Sequence, residues 1–323
     1  MAFHRIQTEI EVGKIKASFV KRYEVETSFD TFTDTAKIFF PRQVIFQEER
    51  KRIEELVNVG DRVVIRRGYA PEMEERFVGY VARIKPDVVT TIECEDAAFL
   101  CKRTAINYSK ESVTIKQLIA DNLPAGLNVE AIDANVGSFR VKNFTLAQIL
   151  EKIRSKYGLR SWFKGTTLLC GLPYIQSDGK KFDLSFQRDV PLGKGSDLVY
   201  LKADDTKLKV KAVSILPDNT KLEVEVGDPD GAARSYTVYN IRSVTELKKV
   251  AEENLNRLKY EGFRGSFEIF GSPMVNHGDQ VRPENKLNPE QFDGSFYAVK
   301  GVSEVMDVGE GLRQTIELGQ KVG

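Results

Sequence analysis

Short apolar runs that alternate with charged residues dominate the chain. In Lys221-Leu222-Glu223-Val224-Glu225-Val226 every second position is apolar, the period of a strand with one buried and one wet face. Residues 36–40, 62–66, 77–84, 90–94 and 235–240 are rich in Val, Ile, Phe, Tyr and Thr and also read as strands. Turn chemistry separates such segments, as in Gly227-Asp228-Pro229-Asp230-Gly231, Asp178-Gly179, Asp218-Asn219 and Asp293-Gly294. Gly and Asn tolerate positive φ there, and Asp bonds to nearby backbone.

Three segments switch to helical spacing. Thr145 opens one, with Leu146, Ile149, Leu150, Ile153 and Tyr157 on one face, Gln148 completing a capping box and Gly158 as the stop. Ser243 opens another, with Glu246 at the box position and Leu247, Val250, Ala251, Leu255 and Leu258 on one face. Gly262 closes it, and its apolar face is expected to pack on the second β-domain. Its other face, Lys248, Lys249, Glu252, Glu253 and Arg257, is mixed in sign. A short helix is predicted from Ile115 to Asn122, after Thr114 and before Pro124. Each helix lies between strand-rich blocks, which predicts an α+β, mainly β, fold.

One pattern occurs twice. Asn58-Val59-Gly60-Asp61-Arg62-Val63 is matched late in the chain by Asn276-His277-Gly278-Asp279-Gln280-Val281. A hydrophilic stretch follows each, then an aromatic β-rich run: Phe77-Val78-Gly79-Tyr80-Val81 in one copy, Phe296-Tyr297-Ala298-Val299 in the other. Both copies close on Thr-Ile-Glu, at 91–93 and at 315–317. A Gly-Asp-x-Val turn alone is common in β-proteins. Three matches in one order at similar spacing predict two related β-domains, one at each end. Two copies are too few for a solenoid or propeller.

Composition narrows the function. The 323 residues suggest about two domains at ~150 residues each, and 48 Lys plus Arg against 47 Asp plus Glu leave a net charge of +1. That balance lacks the cationic surplus with which nucleic-acid binders displace phosphate counterions. Arg50-Lys51-Arg52 is cancelled by Glu48, Glu49, Glu54 and Glu55 within a Debye length, and this segment reads as an exposed helical turn or loop tip. Arg66-Arg67 and Lys180-Lys181 are isolated pairs. No sequence-specific nucleic-acid binding is expected. No segment approaches the ~18 apolar residues of a membrane span, and no secretory signal is expected from MAFHRIQTEIEVGK. Cys94, Cys101 and Cys170 read as buried reduced thiols.

Enzyme signatures fail in turn. Gly301-Val302-Ser303-Glu304-Val305 lacks the closing Gly of a nucleophile elbow. Leu192-Gly193-Lys194-Gly195-Ser196 lacks the spacing of a phosphate loop. Asp228 and Asp230 begin like a calcium loop, but Ala232 and Ala233 stand where an oxygen ligand and Gly are needed. Glu93, Glu95 and Asp96 form an acidic cluster that a glycosidase would need, although on a strand Glu93 and Glu95 read as a solvated face. No catalytic, cofactor-binding or metal-ligating residue is assigned.

Several of these motifs, in this order, resemble the late-control D family of phage tail baseplate hub proteins, whose hub fold type VI secretion spike proteins share. The likeness runs through Val59-Gly60-Asp61-Arg62-Val63, Arg67-Gly68-Tyr69, Phe77-Val78-Gly79-Tyr80-Val81 and Ile92-Glu93-Cys94-Glu95-Asp96. It continues from Phe144-Thr145-Leu146 to Gly171, then through the Ser243 helix, Phe270-Gly271-Ser272-Pro273, Gly278-Asp279, Tyr297-Ala298-Val299 and residues 312–319. The resemblance implies two related tube-like β-barrel domains flanking a smaller α/β middle region: 1–105, 106–189, and 190–323 with a helix at 243–260. It further implies a homotrimer adapting a six-fold tail tube to a three-fold spike, with tube, spike and tape-measure proteins as partners. Such a protein would be a virion component assembled in the host bacterial cytoplasm, with no cofactor, membrane insertion or enzymatic activity. No appended spike, lysozyme or peptidoglycan-binding module is expected after Gly323. The competing readings are a tail-tip cell-wall glycan hydrolase acting through the Glu93–Asp96 cluster, and a carbohydrate-binding module.

Overall fold

The computed structural model describes residues 6–18, 20–69, 73–171, 179–191, 196–202, 207–216, 220–239, 241–287, 289, 292 and 294–322. Strands prevail. The first block is β1 (Ile6–Val12), β2 (Ile15–Ala17), β3 (Arg22–Ser28), β4 (Thr35–Pro41), β5 (Gln43–Phe46), β6 (Glu49–Arg52), the one-turn α1 (Ile53–Leu56), β7 (Arg62–Tyr69), β8 (Glu74–Lys85) and β9 (Val89–Glu95). The middle block is α2 (Ala98–Cys101), β10 (Ile106–Lys110), α3 (Ile115–Ala120), β11 (Asn128–Ala131), β12 (Phe139–Phe144), α4 (Leu146–Tyr157), β13 (Arg160–Lys164) and β14 (Thr167–Gly171). Then come β15 (Lys181–Ser185), β16 (Val199–Leu201), β17 (Leu208–Ile215), β18 (Lys221–Gly227), β19 (Ala232–Tyr239), α5 (Val244–Leu258), β20 (Gly262–Phe270), β21 (Gln280–Glu284), β22 (Phe296–Asp307) and β23 (Gly311–Val322).

Alternation along these strands builds the cores. Ile10, Val25, Ile38, Ile65, Val81 and Ile92 fill the first β-core. Leu184, Phe267, Ile269, Val299, Val302 and Ile316 fill a second. The middle block has its own core, on which α4 lays Leu146, Ile149, Leu150, Ile153 and Tyr157. Its N-terminus carries the predicted reciprocal capping box between Thr145 and Gln148, and Gly158 ends it at φ 70°. The short helix is capped by Thr114, which accepts from the Gln117 amide. Ser243 likewise accepts from the Glu246 amide, 3.4 Å away.

Three findings depart from expectation. First, the two ends do not form separate sheets. β3 of the first block pairs with β22 of the last, so one 13-stranded sheet runs through both, from β16 to β2 with β15 and β21 as a branch. Among the described strands this path is open rather than a closed barrel. Second, α5 packs within the span expected for the second β-domain, but on a separate three-stranded sheet, β18-β17-β19, rather than on the large sheet, through Leu247 and Ala251 against Val210 and Ala212. An apolar stripe shows that a helix has a partner face; it does not say which sheet supplies it. Third, β15 precedes residue 190, where the second β-domain was expected to start, yet it pairs in parallel with β21 and buries Leu184 in the second β-core. Charged Glu48–Glu55 contains a hairpin reversal, with Gln47 and Glu48 at φ 51° and 67°, followed by α1.

Candidate functional site

The repeated motif folds the same way twice. Gly60 and Gly278 take φ 95° and 86°, a backbone state that favours glycine. Each donates its amide to a strand carbonyl at 2.8 Å, Gly60 to Val81 and Gly278 to Val299. Each following aspartate accepts from the asparagine three residues back, Asp61 from the Asn58 amide and Asp279 from the Asn276 amide, both at 2.8 Å. The Val81 and Val299 amides return bonds to the Asp61 and Asp279 carbonyls at 2.9 and 2.7 Å.

Equivalence extends along the strands. A register shift falls between Val81 and Arg83 in β8 and between Val299 and Gly301 in β22. Beyond it Arg83, Ile84 and Lys85 face Glu93, Ile92 and Thr91, just as Gly301, Val302 and Ser303 face Glu317, Ile316 and Thr315. The two Thr-Ile-Glu tripeptides therefore occupy the same register. The next strands match too: Ile38 pairs with Ile92, and Phe267 with Ile316. So do the edges, with β3 on β4 and β16 on β20, both antiparallel. Between β16 and β20 the second copy inserts β17, β18, β19 and α5.

At the seam, seven consecutive pairs join β22 to β3, from Gly301↔Ser28 to Asp307↔Arg22. Thr27 Oγ1 and Ser28 Oγ donate to the carbonyls of Val302 and Lys300. A charged cluster is buried behind it. Glu304 is fully enclosed and accepts from Arg67 Nη2 at 2.7 Å, Arg67 Nε at 3.2 Å and Tyr23 Oη at 2.9 Å. Arg76 Nε forms an ion pair with it at 3.3 Å, and Arg76 Nη1 donates to Asn276 at 2.8 Å. Burial and then the Glu304 charge push the Tyr23 phenol well above its ordinary range. β3, β7, β8 and β22 each contribute one member, so the cluster holds only where the two β-blocks meet.

A second buried group lies nearby. The Asp34 carboxyl is pushed up to about 7 by burial, against the Ser28 amide bond and the Arg76 charge, which favour ionisation. Asp96, raised by burial and by Asp34, accepts from the Ala98 amide at 3.1 Å. His277 Nε2 stands 3.9 Å from Asp34, but burial and then the charges of Arg76 and Lys164 hold the imidazole down to about 4. The contact is therefore not an ion pair at neutral pH.

The residues weighed for chemistry are dispersed. Glu93 is paired with Lys85 and with Arg83, and Glu95 bonds Lys102 at 2.8 Å, while Asp96 is buried apart. Ser303 lies within β22. Asp228 receives the Leu208 amide and Lys259 Nζ, as a structural turn would. Residues 192–195 of the Gly-Lys segment, Asp178, residues 218–219 and Asp293 lie outside the described residues. Among the described residues no group of three or more His, Cys, Asp or Glu is placed to hold a metal, and no helix is long and apolar enough to cross a membrane. A shallow groove crosses the seam, lined by Glu26, Thr35, Ser266, Ser303, Thr315 and Glu317 among others. Sequence reasoning missed Arg67, Arg76, Glu304 and Tyr23 as a unit. Its only signal was the even spacing of Tyr23 and Glu304 with apolar neighbours on their strands.

No protein-family model matches the sequence, and no curated protein matches it. Solved structures do. A tail protein from Neisseria meningitidis MC58 is 17% identical, with a TM-score of 0.62, covering 98% of this chain and 96% of that one. The prophage MuSo2 43 kDa tail protein from Shewanella oneidensis is 14% identical, with a TM-score of 0.64 and 98% of both chains covered. The Escherichia coli c3393 protein is a type VI secretion component described as similar to the T4 tail proteins gp27 and gp5. It is 10% identical, with a TM-score of 0.58, and the match covers 96% of this chain and 76% of that one. At these identities the likeness is one of fold, and the fold is one shared by phage tail proteins and a type VI secretion component.

Proposed function

We propose that the chain is the structural hub of a phage or phage-like tail baseplate, a homotrimer that adapts a six-fold tail tube to a three-fold spike. The observation that carries this is the internal duplication, with the same Gly-Asp turn, register shift and Thr-Ile-Glu pairing in each copy. Three subunits each presenting two such copies offer six similar surfaces around an axis, while the middle block and the α5 insertion occur once per chain and retain three-fold symmetry. Closed cyclic symmetry also covers exposed strand edges. In this reading the division is two β-units around a middle region, with β15 belonging to the second unit. Tail tube, spike and tape-measure proteins are its partners in this reading, and the tail proteins and a chain of a PdpA–VgrG complex among its structural neighbours support the tail and spike part of it. It is a virion component assembled in the host cytoplasm, with no chemistry of its own. Light scattering of the purified chain should give a trimer, or a monomer that becomes trimeric with its spike. A stable dimer at high concentration would sink the hub.

A further inference from the structure

We infer that the outer edge of β12 accepts an extended, acidic segment of another protein, which adds to the β10-β12 ribbon as a third strand. The site lies wholly in the middle block and does not depend on how many subunits the assembly has.

Charge is spread unevenly along the chain. Residues 98–171 hold eleven Lys and Arg against five Asp and Glu, a net charge of +6, while the whole chain carries +1. The rest of the chain therefore sums to −5, an asymmetry that marks the middle block as the part suited to an anionic partner. Ion pairing differs in the same way. On the flanking blocks cations sit against carboxylates, as Lys37 does with Glu24, Arg66 with Glu11 and Lys211 with Glu223. In the middle block Arg140, Lys142, Lys152 and Lys156 have no carboxylate partner among the described residues, and Glu151 is taken by Arg154.

These four cations gather around one strand. Arg140 and Lys142 are exposed on β12, where they alternate with buried Phe139 and half-buried Val141. From α4, Lys152 reaches over β12, its Nζ 5.5 Å from the Phe139 ring and 5.7 Å from the Phe144 ring. Lys156 stands one helical turn further along the same flank.

That strand has a free side. β10 and β12 form a two-stranded sheet, and no described strand other than β10 pairs with β12. β10 already has a carboxylate beside it, since Tyr108 Oη and Lys110 Nζ both donate to Asp121 at 2.7 Å. Two strands gain from a third, and an open edge gives it a ladder of main-chain hydrogen bonds. The cations select what enters. Two copies of β12 edge to edge would set like charges opposite one another, which disfavours self-pairing. A strand carrying carboxylates at every second position would meet Arg140 and Lys142, with its apolar side along Phe139 and Val141. A protein segment fits better than a nucleic acid. With a net charge of +1 the chain has no long-range pull on a polyanion, and the patch acts only within a Debye length of about 8 Å.

The test uses the full chain and a fluorescein-labelled peptide of four Glu-Val repeats, blocked at both ends. Fluorescence anisotropy should show saturable binding that weakens with added salt. Arg140→Glu with Lys142→Glu should weaken it about tenfold or more. Lys248→Glu with Lys249→Glu, the same charge change on the exposed face of α5, should leave it within about twofold. Thermal melts near wild type would establish that both variants are folded. Bound peptide should slow hydrogen exchange within residues 139–144 by about tenfold. A peptide with Pro in place of the two central valines cannot complete the ladder and should bind about tenfold more weakly. Equal losses in the two variants, or binding without protection of residues 139–144, would overturn the site. Equal binding of the Pro peptide would overturn strand addition. Single-stranded DNA of the same charge binding as tightly as the peptide would overturn the choice of partner, and no saturable peptide binding would overturn the proposal entirely.

Discussion

Replacing Glu304 by Gln should uncouple the two β-blocks. Glu304 is fully buried, and Arg67 and Arg76 beside it are 2% and 6% exposed. The amide keeps the volume but leaves two guanidinium groups enclosed with no anion between them. Arg76 retains Asn276 at 2.8 Å, and Arg67 retains Glu74 at 3.9 Å, a carboxylate whose side chain is half exposed. Removing one partner of a buried ion pair costs about 3–5 kcal/mol, and these residual contacts argue for about 3 kcal/mol. With a urea m-value near 3 kcal/mol/M, the unfolding midpoint should drop by about 1 M. Replacing Arg67, Arg76 and Glu304 together by Met, Leu and Leu should cost less than Glu304→Gln alone, because no charge is then left unpaired. A Glu304→Gln midpoint within ~0.3 M of wild type, or a triple variant worse than the single one, would refute the reasoning.

The remaining predictions concern other parts of the fold. Burial raises all three thiols, Cys101 to about 12, Cys170 to about 11 and Cys94 further, so a thiol reagent should label none quickly until the chain unfolds. Rapid native labelling would contradict their placement. Asp34 ionises at about 7 in the fold against 3.8 as its ordinary value, so its charge weighs against folding increasingly as pH rises from about 4 to 7. Asp34→Asn should gain on wild type over that interval by about 2–4 kcal/mol and level off above it. His277, lowered to about 4 from 6.5, works in the opposite sense, and His277→Gln should gain on wild type as pH falls from about 6.5 to 4. Denaturant melts at several pH values check both, and differences independent of pH would refute them. Leu247 is fully buried under α5 while Leu255 is only partly so. Leu247→Ala should therefore cost about 2–5 kcal/mol and Leu255→Ala roughly half as much; equal losses would show that the helix sits differently.

Local signals in the chain were legible, and distant pairings were not. Thr145, Gln148 and Gly158 announce α4 because caps and stops act within one helical turn. The repeat was readable because Gly-Asp and Thr-Ile-Glu hold fixed places in a hairpin. The seam was hidden, since β3 and β22 meet across most of the chain and an alternating strand does not specify its neighbour. Arg67 read as half of an isolated basic pair and Glu304 as part of a failed nucleophile elbow. Burial of a charge depends on partners brought from four strands, which no window of sequence contains. The same holds for α5, whose stripe was clear and whose partner sheet was not.

The seam also sets a timetable for synthesis. β3 is complete after Ser28, but its partner residues 301–307 are the last but one strand to be made. At about 5–20 residues per second, the edge of β3 waits roughly 15–55 s on the ribosome for its neighbour. A strand bare for that long invites pairing with other nascent chains. Arg22, Glu24 and Glu26 alternate along it, and charges at that spacing discourage a wrong neighbour until β22 arrives with Glu304 to meet Tyr23.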